Sequence, residues 1–225
     1  MPPLPATFDY RPPTEPWLNI VYEDDRLILC DKPSGLLTVP GKDSSLADCL
    51  EARVQARYPQ YPAAKVVHRL DKDTSGLLLL AFDKQALGAL GSQFERRKIE
   101  KYYVARVWGD VEGESGLIDL PLATDWENKP RQRVDHERGR SSQTRWEVLG
   151  REGGVTRLKL TPLTGRTHQL RVHMLALGHP ILGDTFYAEG PARDAAGRLQ
   201  LHAEMLQFAH PEDHMLRKFV SPAPF

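Results

Sequence analysis

The chain has 225 residues, 40% of them hydrophobic, which suffices to bury a full core in one large domain or two small ones. Thirty Lys and Arg side chains balance thirty Asp and Glu, so no whole-molecule field draws in nucleic acid or an anionic membrane, and a polyanionic partner must be met by a local patch. Cys30 and Cys49 form no C-x-x-C pair, no signal peptide precedes them, and no apolar run approaches the roughly 18 to 20 residues that cross a bilayer; a soluble cytoplasmic protein with free thiols and no metal site is expected.

Residues 1–16 contain Pro2, Pro3, Pro5, Pro12, Pro13 and Pro16, which block helix and ladder hydrogen bonds and predict an extended tail, with the domain proper running from Trp17 to Phe225. Two strands are expected around the Asp24-Asp25 turn, closed by Pro33-Ser34-Gly35. Leu46, Leu50 and Val54 recur at helical spacing behind Ser44 and Ser45, either of which would cap the helix. A strand over Gly76 to Phe82, a helix over Lys84 to Arg97 with Leu87, Leu90 and Phe94 on its inner stripe, and a strand in KYYVARVW follow. Trp146 to Leu149 and Val155 to Leu160 read as a hairpin across Gly153-Gly154, Thr167 to Leu177 as a helix stopped by Gly178 and Pro180, and Leu199 to Phe208 as a strand. With no internal repeat and no clear linker, the irregular interleaving predicts a single α+β domain.

Charge separates along the chain. Asp110 to Glu127 holds six acidic residues and no Lys or Arg, whereas Lys129 to Arg145 holds six basic ones against Asp135 and Glu137. Arg157, Lys159, Arg166 and Arg171 then lie in a stretch, Gly153 to Gly183, with no acid, which would suit the basic wall of a cleft. The block from Lys129 to Arg145, which includes Arg131 and Arg133, would suit contact with a polyanion, with a solvated face as the competing account.

In HRLDKDTSGLLLLA (His68 to Ala81) an aspartate sits in a polar loop just ahead of an apolar run, Leu77 to Leu80. Taken alone, Asp71 is equally a turn or cap residue, since Asp, Thr and Ser serve those roles. The string HRLD-x-x-TSGLLL-x-A, however, resembles the signature loop of the RluA-type pseudouridine synthases. The resemblance continues, in family order, through DKPSGLLTVPG (Asp31 to Gly41), KYYVARVWG (Lys101 to Gly109) and LTGRTHQLRVHMLALGHPILGD (Leu163 to Asp184), and covers nearly everything from Trp17 to Pro211.

The resemblance implies a fold with a mixed, mostly antiparallel sheet flanked by helices and a central RNA-binding cleft. It implies isomerisation of a uridine within RNA without a cofactor: the glycosidic bond to N1 breaks, the uracil turns, and it is rejoined to ribose through C5. Asp71 takes the place of the family carboxylate, which either attacks sugar or base or removes a sugar proton. Arg171, in THQLRVH, takes that of the cation keeping it ionised, and Tyr103 that of the tyrosine packing the uracil. Tyr102 points to the opposite face of the strand. Arg69 is expected to fill the gap left by a flipped base, against a competing role in ordering the loop by a salt bridge, and His68, Arg166, Lys129, Arg131 and Arg133 complete the RNA contacts that the resemblance implies.

His168 and His173, five apart, point about 140° apart on a regular helix, so metal ligation by them and His179 is not expected. A non-catalytic RNA-binding module and an aspartate-dependent hydrolase remain as other classes, the latter needing a second carboxylate or metal ligands. Longer family members carry an RNA-binding domain ahead of the catalytic one; here only the Pro-rich tail precedes Trp17. Together with LPL-x-x-DW-x-N-x-P (Leu120 to Pro130), this resembles the short dual-specificity members, acting as a monomer on a stem-loop of 23S rRNA, a tRNA anticodon stem-loop, or both.

Overall fold

The structure is a computed structural model and describes residues 10–225. Strands β1 (Ile20–Glu23) and β2 (Leu27–Lys32) pair antiparallel around the expected turn. Asp24 shapes that turn, its Oδ1 accepting the N–H groups of Arg26 (2.8 Å) and Leu27 (3.0 Å). The helix expected behind Ser44 and Ser45 is instead a short 3-10 turn at Ser44–Leu46 capped by Asp43, followed by α1 (Leu50–Arg57). The cap of α1 is the Cys49 thiol, whose Sγ accepts the Ala52 N–H at 3.4 Å, so neither serine has the predicted role.

A two-residue β3 (Lys65–Val66) and β4 (Ser75–Ala81) precede α2 (Lys84–Glu95), which Asp83 caps through the Gln85 and Ala86 N–H groups. The helix stops before the predicted Arg97, because that residue turns left-handed at φ 55°. Next come β5 (Glu100–Trp108), β6 (Ser115–Asp119), β7 (Leu122–Thr124), β8 (Gln132–Val134), β9 (Gln143–Glu152) and β10 (Val155–Pro162). Helix α3 (Gln169–Ala176), a single turn α4 (Gly190–Asp194), β11 (Leu201–Ala209) and β12 (Leu216–Val220) complete the chain. No helix among the described residues is long and apolar enough to cross a membrane. The fold is α+β, built on a mixed, mostly antiparallel sheet with few helices.

The described residues gather into two compact units, and the chain passes between them inside β5 and again inside β11. One unit holds residues 10–101 and Ala203–Pro224. Its strands lie in the order β1-β2-β4-β11, with β12 on β11 and β3 on β4. All seven residues of β4 are buried, which is why its sequence reads as an unbroken apolar run rather than an alternation. Leu27, Leu29, Leu77, Leu79, Leu206 and Phe208 pack against Ala86 and Leu90 of α2, each large side chain contributing on the order of 1.5–3 kcal/mol by leaving water. The extended segment before Trp17 is bound to this unit: Tyr10 Oη donates to the Asp48 carbonyl (2.7 Å), and Arg53 donates to the carbonyls of Pro13 and Trp17 (both 2.8 Å). Residues 1–9 of that tail lie outside the described residues.

The second unit comprises Tyr102–His202 and Phe225. Here β5, β10, β9 and β6 pair antiparallel in that order, and β7 and β8 form a separate hairpin. The β9–β10 turn at Gly153-Gly154 has φ 60° and 72°, left-handed values that suit two glycines. Val172 of α3 packs on Leu122 and Tyr187. Helix α3 begins two residues later than predicted, because His168 is left-handed (φ 53°) and serves as its N-cap without a side-chain cap bond.

Candidate active site

Asp71 is half-buried in the loop between β3 and β4. The loop is bound from beneath by the segment following β2. Lys32, fully buried, donates from one ammonium to the carbonyls of Pro33 (2.9 Å), Leu36 (2.7 Å) and Lys72 (2.8 Å). Thr38 Oγ1 donates to the Leu70 carbonyl (2.7 Å), Ser34 Oγ to that of Asp73 (2.7 Å), and the Gly35 N–H to that of Lys72 (2.9 Å). The residues on both sides of Asp71 are thus tied to one short segment, and the Thr74 N–H closes the turn on the Asp71 carbonyl (3.2 Å). A lysine without solvent is costly unless its donors are matched, and three carbonyls match the three protons of an ammonium.

Arg69, next in the loop, is exposed. His68 instead lies against Phe94 of α2 (ring centroids 4.7 Å), and its Nε2 accepts the Leu79 N–H at 3.2 Å, which places the ring proton on Nδ1. Burial, with repulsion from Lys101 added, lowers its pKa to about 3, so the ring is neutral at pH 7. The geometry gives His68 a part in joining the loop to β4 that the expected RNA contact did not include.

In the second unit Tyr103 lies on β5 opposite Leu160 and is buried, while Tyr102 on the other face lies against the Lys159 ammonium, 5.4 Å from the ring centroid. Arg171 projects from α3 and is 2% exposed. It forms a two-pronged pair with Asp184, Nε to Oδ2 at 2.7 Å and Nη2 to Oδ1 at 2.6 Å, and its guanidinium lies 5.1 Å from the ring centroids of both Phe186 and Tyr187. Asp184 also accepts the N–H groups of Phe186 (2.9 Å) and Tyr187 (3.1 Å). A guanidinium fork locked on a carboxylate and between two rings has one orientation.

The start of α3 is fixed in the same way. Gln169 takes the Thr164 hydroxyl (2.7 Å) and the Arg166 N–H (3.0 Å) on its carbonyl and donates to the Gln143 carbonyl (2.9 Å) and Thr144 Oγ1 (3.0 Å). Arg166 itself donates from Nε to the Ser141 carbonyl at 3.2 Å. The three histidines have separate partners: His168 with the Tyr187 hydroxyl (2.7 Å), buried His173 with Thr144 Oγ1 (2.8 Å) and the Leu120 carbonyl (3.1 Å), and His179 with the Trp108 carbonyl (2.8 Å). Burial lowers the pKa of His173. Among the described residues no cluster of His, Cys, Asp or Glu is arranged to hold a metal ion.

Of the basic block, Lys129 and Arg133 are exposed, as the contact reading requires. Arg131 is 2% exposed, and with its backbone bonded to Asp125 and Asn128 it belongs to the interior of the turn. Asp71, Arg69 and His68 therefore belong to one unit, and Tyr103, Arg171, Arg166, Lys129, Arg131 and Arg133 to the other. Lys32 and Asp184 went unassigned from sequence. A lysine inside the apolar strand LILCDK is a visible anomaly, whereas the Arg171–Asp184 pairing has only its two charged residues, 13 positions apart, to announce it.

Comparison with known proteins sets this arrangement in context. The family described as RNA pseudouridylate synthase matches residues 26–176, across the boundary between the two units. The chain is 51% identical to the dual-specificity RNA pseudouridine synthase RluA of Vibrio vulnificus, over 98% of this chain and 89% of that protein. It is likewise 51% identical to the Escherichia coli protein of that name, over 96% and 98% respectively. Among solved structures, human RNA pseudouridylate synthase domain containing 1 superposes with a TM-score of 0.76 at 32% identity, covering 92% of this chain and 84% of that one.

Proposed function

The chain belongs to the RNA pseudouridylate synthase family, and from that premise we propose that it converts a loop uridine of 23S rRNA, of a tRNA anticodon stem-loop, or of both, to pseudouridine through Asp71. The enzyme is an isomerase acting on RNA. In this reading the Asp71 carboxylate opens the reaction at the sugar or base, and the N1–C1′ bond breaks. The freed uracil turns and bonds to C1′ through C5, and the C5 proton leaves to solvent while N1 gains one. Nothing is oxidised or reduced, so no cofactor enters. Tyr103 packs the uracil and assists loss of the C5 proton, and Arg171 favours the ionised carboxylate. Arg69 fills the space left by the extruded base, and Lys129, Arg133 and Arg166 meet phosphates along the RNA-binding cleft. A cytoplasmic monomer acting on a single-stranded loop base is the simplest form of this proposal, since such a base is read without melting a duplex.

The observation that carries the assignment is the Asp71 loop, whose backbone is bound on both sides of the carboxylate by Lys32, Ser34 and Thr38. The test is tritium release from rRNA and tRNA labelled at C5 of uridine, in chelator, by wild type beside Asp71→Asn. Release by wild type alone, with the variant still folded, is expected, and it shows which RNA pool holds the substrate. Equal release by the variant would remove Asp71 from the reaction.

A further inference from the structure

Trp126 is the most exposed of the large hydrophobic side chains among the described residues, at 73%. An indole in water forgoes the stabilisation of burial, and scattered exposed aliphatics do not explain one presented on a rigid turn. The turn joins β7 to β8. Its Asp125 is buried and takes the Asn128 amide on Oδ2 (2.9 Å), while backbone bonds run from Asp125 N to the Arg131 carbonyl (3.0 Å) and from Arg131 N to that of Asn128 (3.0 Å). The next residue is also tied, the Gln132 N–H donating to the Tyr187 hydroxyl (2.8 Å), which bonds His168 at the start of the Arg171 helix. Trp126 therefore stands on the scaffold that orients Arg171. The Lys129 ammonium lies 3.9 Å from its ring centroid, and exposed Arg133 follows on β8.

An exposed indole on a braced turn, with a cation over one face, matches one nucleotide: the base stacks on the ring's other face and the phosphate meets the charge. We propose that Trp126 and Lys129 form a stacking platform for an unpaired base of the RNA substrate, apart from the uridine that reacts; this rests on the RNA-loop reading above. The platform acts in binding, not in the chemistry.

The experiment compares wild type, Trp126→Ala, Trp126→Phe and Lys129→Ala by fluorescence anisotropy on labelled rRNA and tRNA stem-loops across a salt series, with tritium release alongside. Trp126→Ala should weaken binding roughly tenfold and raise KM far more than it lowers kcat, while Trp126→Phe, still able to stack, recovers most of the loss. Lys129→Ala should reduce the slope of log affinity against log salt by about one. Since Trp126 is exposed, unchanged melting temperatures are expected and separate lost contact from lost fold. If wild type converts uridine and Trp126→Ala binds within twofold of it, the platform is overturned and the enzymatic reading stands. If wild type neither binds nor converts either RNA, it is the RNA-loop reading that fails, and the platform with it.

Discussion

Among single residues, Asp184 has the most consequential surroundings. It is 1% exposed, accepts two backbone N–H groups and both prongs of Arg171, and thereby aligns α3 with the segment carrying Phe186 and Tyr187. Removing the charge while keeping the shape leaves a guanidinium in the interior without its anion, which typically costs about 3–5 kcal/mol. Asp184→Asn is accordingly expected to lower the melting temperature by on the order of 10 °C and to reduce turnover by loosening Arg171, whereas a melt within about 2 °C of wild type would show the pair to be unimportant for stability. Local sequence offers little notice of this pairing, because it is made in three dimensions. The placing of Asp71 in a loop ahead of a buried strand was legible for the opposite reason: loop and strand are contiguous in sequence.

At the scale of elements, β4 carries the loop and depends on Gly76. That residue has φ 112°, and a Cβ there would lie 2.4 Å from the Ala203 carbonyl oxygen and 2.5 Å from its nitrogen, both backbone atoms that cannot swing aside. Gly76→Ala should therefore destabilise by about 3 kcal/mol or more. Gly88, on the exposed face of α2 with open space at its Cβ, is the control: Gly88→Ala should be neutral or stabilising by up to about 1 kcal/mol. Denaturant titration of the two variants checks the contrast, and equal midpoints would refute it. Elements were legible where one physical signal dominates, as in the doubly buried β4 and the Gly153-Gly154 hairpin. Strands β7 and β8 went unread because three residues are too few for alternation to register, and the cap of α1 was misassigned because a cysteine thiol took the place of the nearby serines.

For the molecule as a whole, two neutral histidines set a pH dependence. His68, at about 3, and His173, also lowered, hold fewer protons folded than unfolded, where the ordinary value is near 6.5. Their contribution to stability is therefore complete above pH 6.5 and falls as pH drops below it, for His68 down to about 3, by at most about 1.4 kcal/mol per pH unit for each. The carboxylates whose pKa is lowered, such as Asp24, act only below about pH 4, so urea midpoints at pH 7.5, 6 and 5 isolate the histidines. A flat profile across that range would mean that both rings are protonated without penalty. Lys32 has a separate bearing on how any assay is read. Its ammonium is an internal cation, covalently attached, held by carbonyls and sealed from solvent, so this anchor of the Asp71 loop does not depend on dissolved cations or on screening by them. Ionic strength then acts on the exposed charges alone, and a salt dependence of turnover reports the grip on the polyanion rather than the state of the loop.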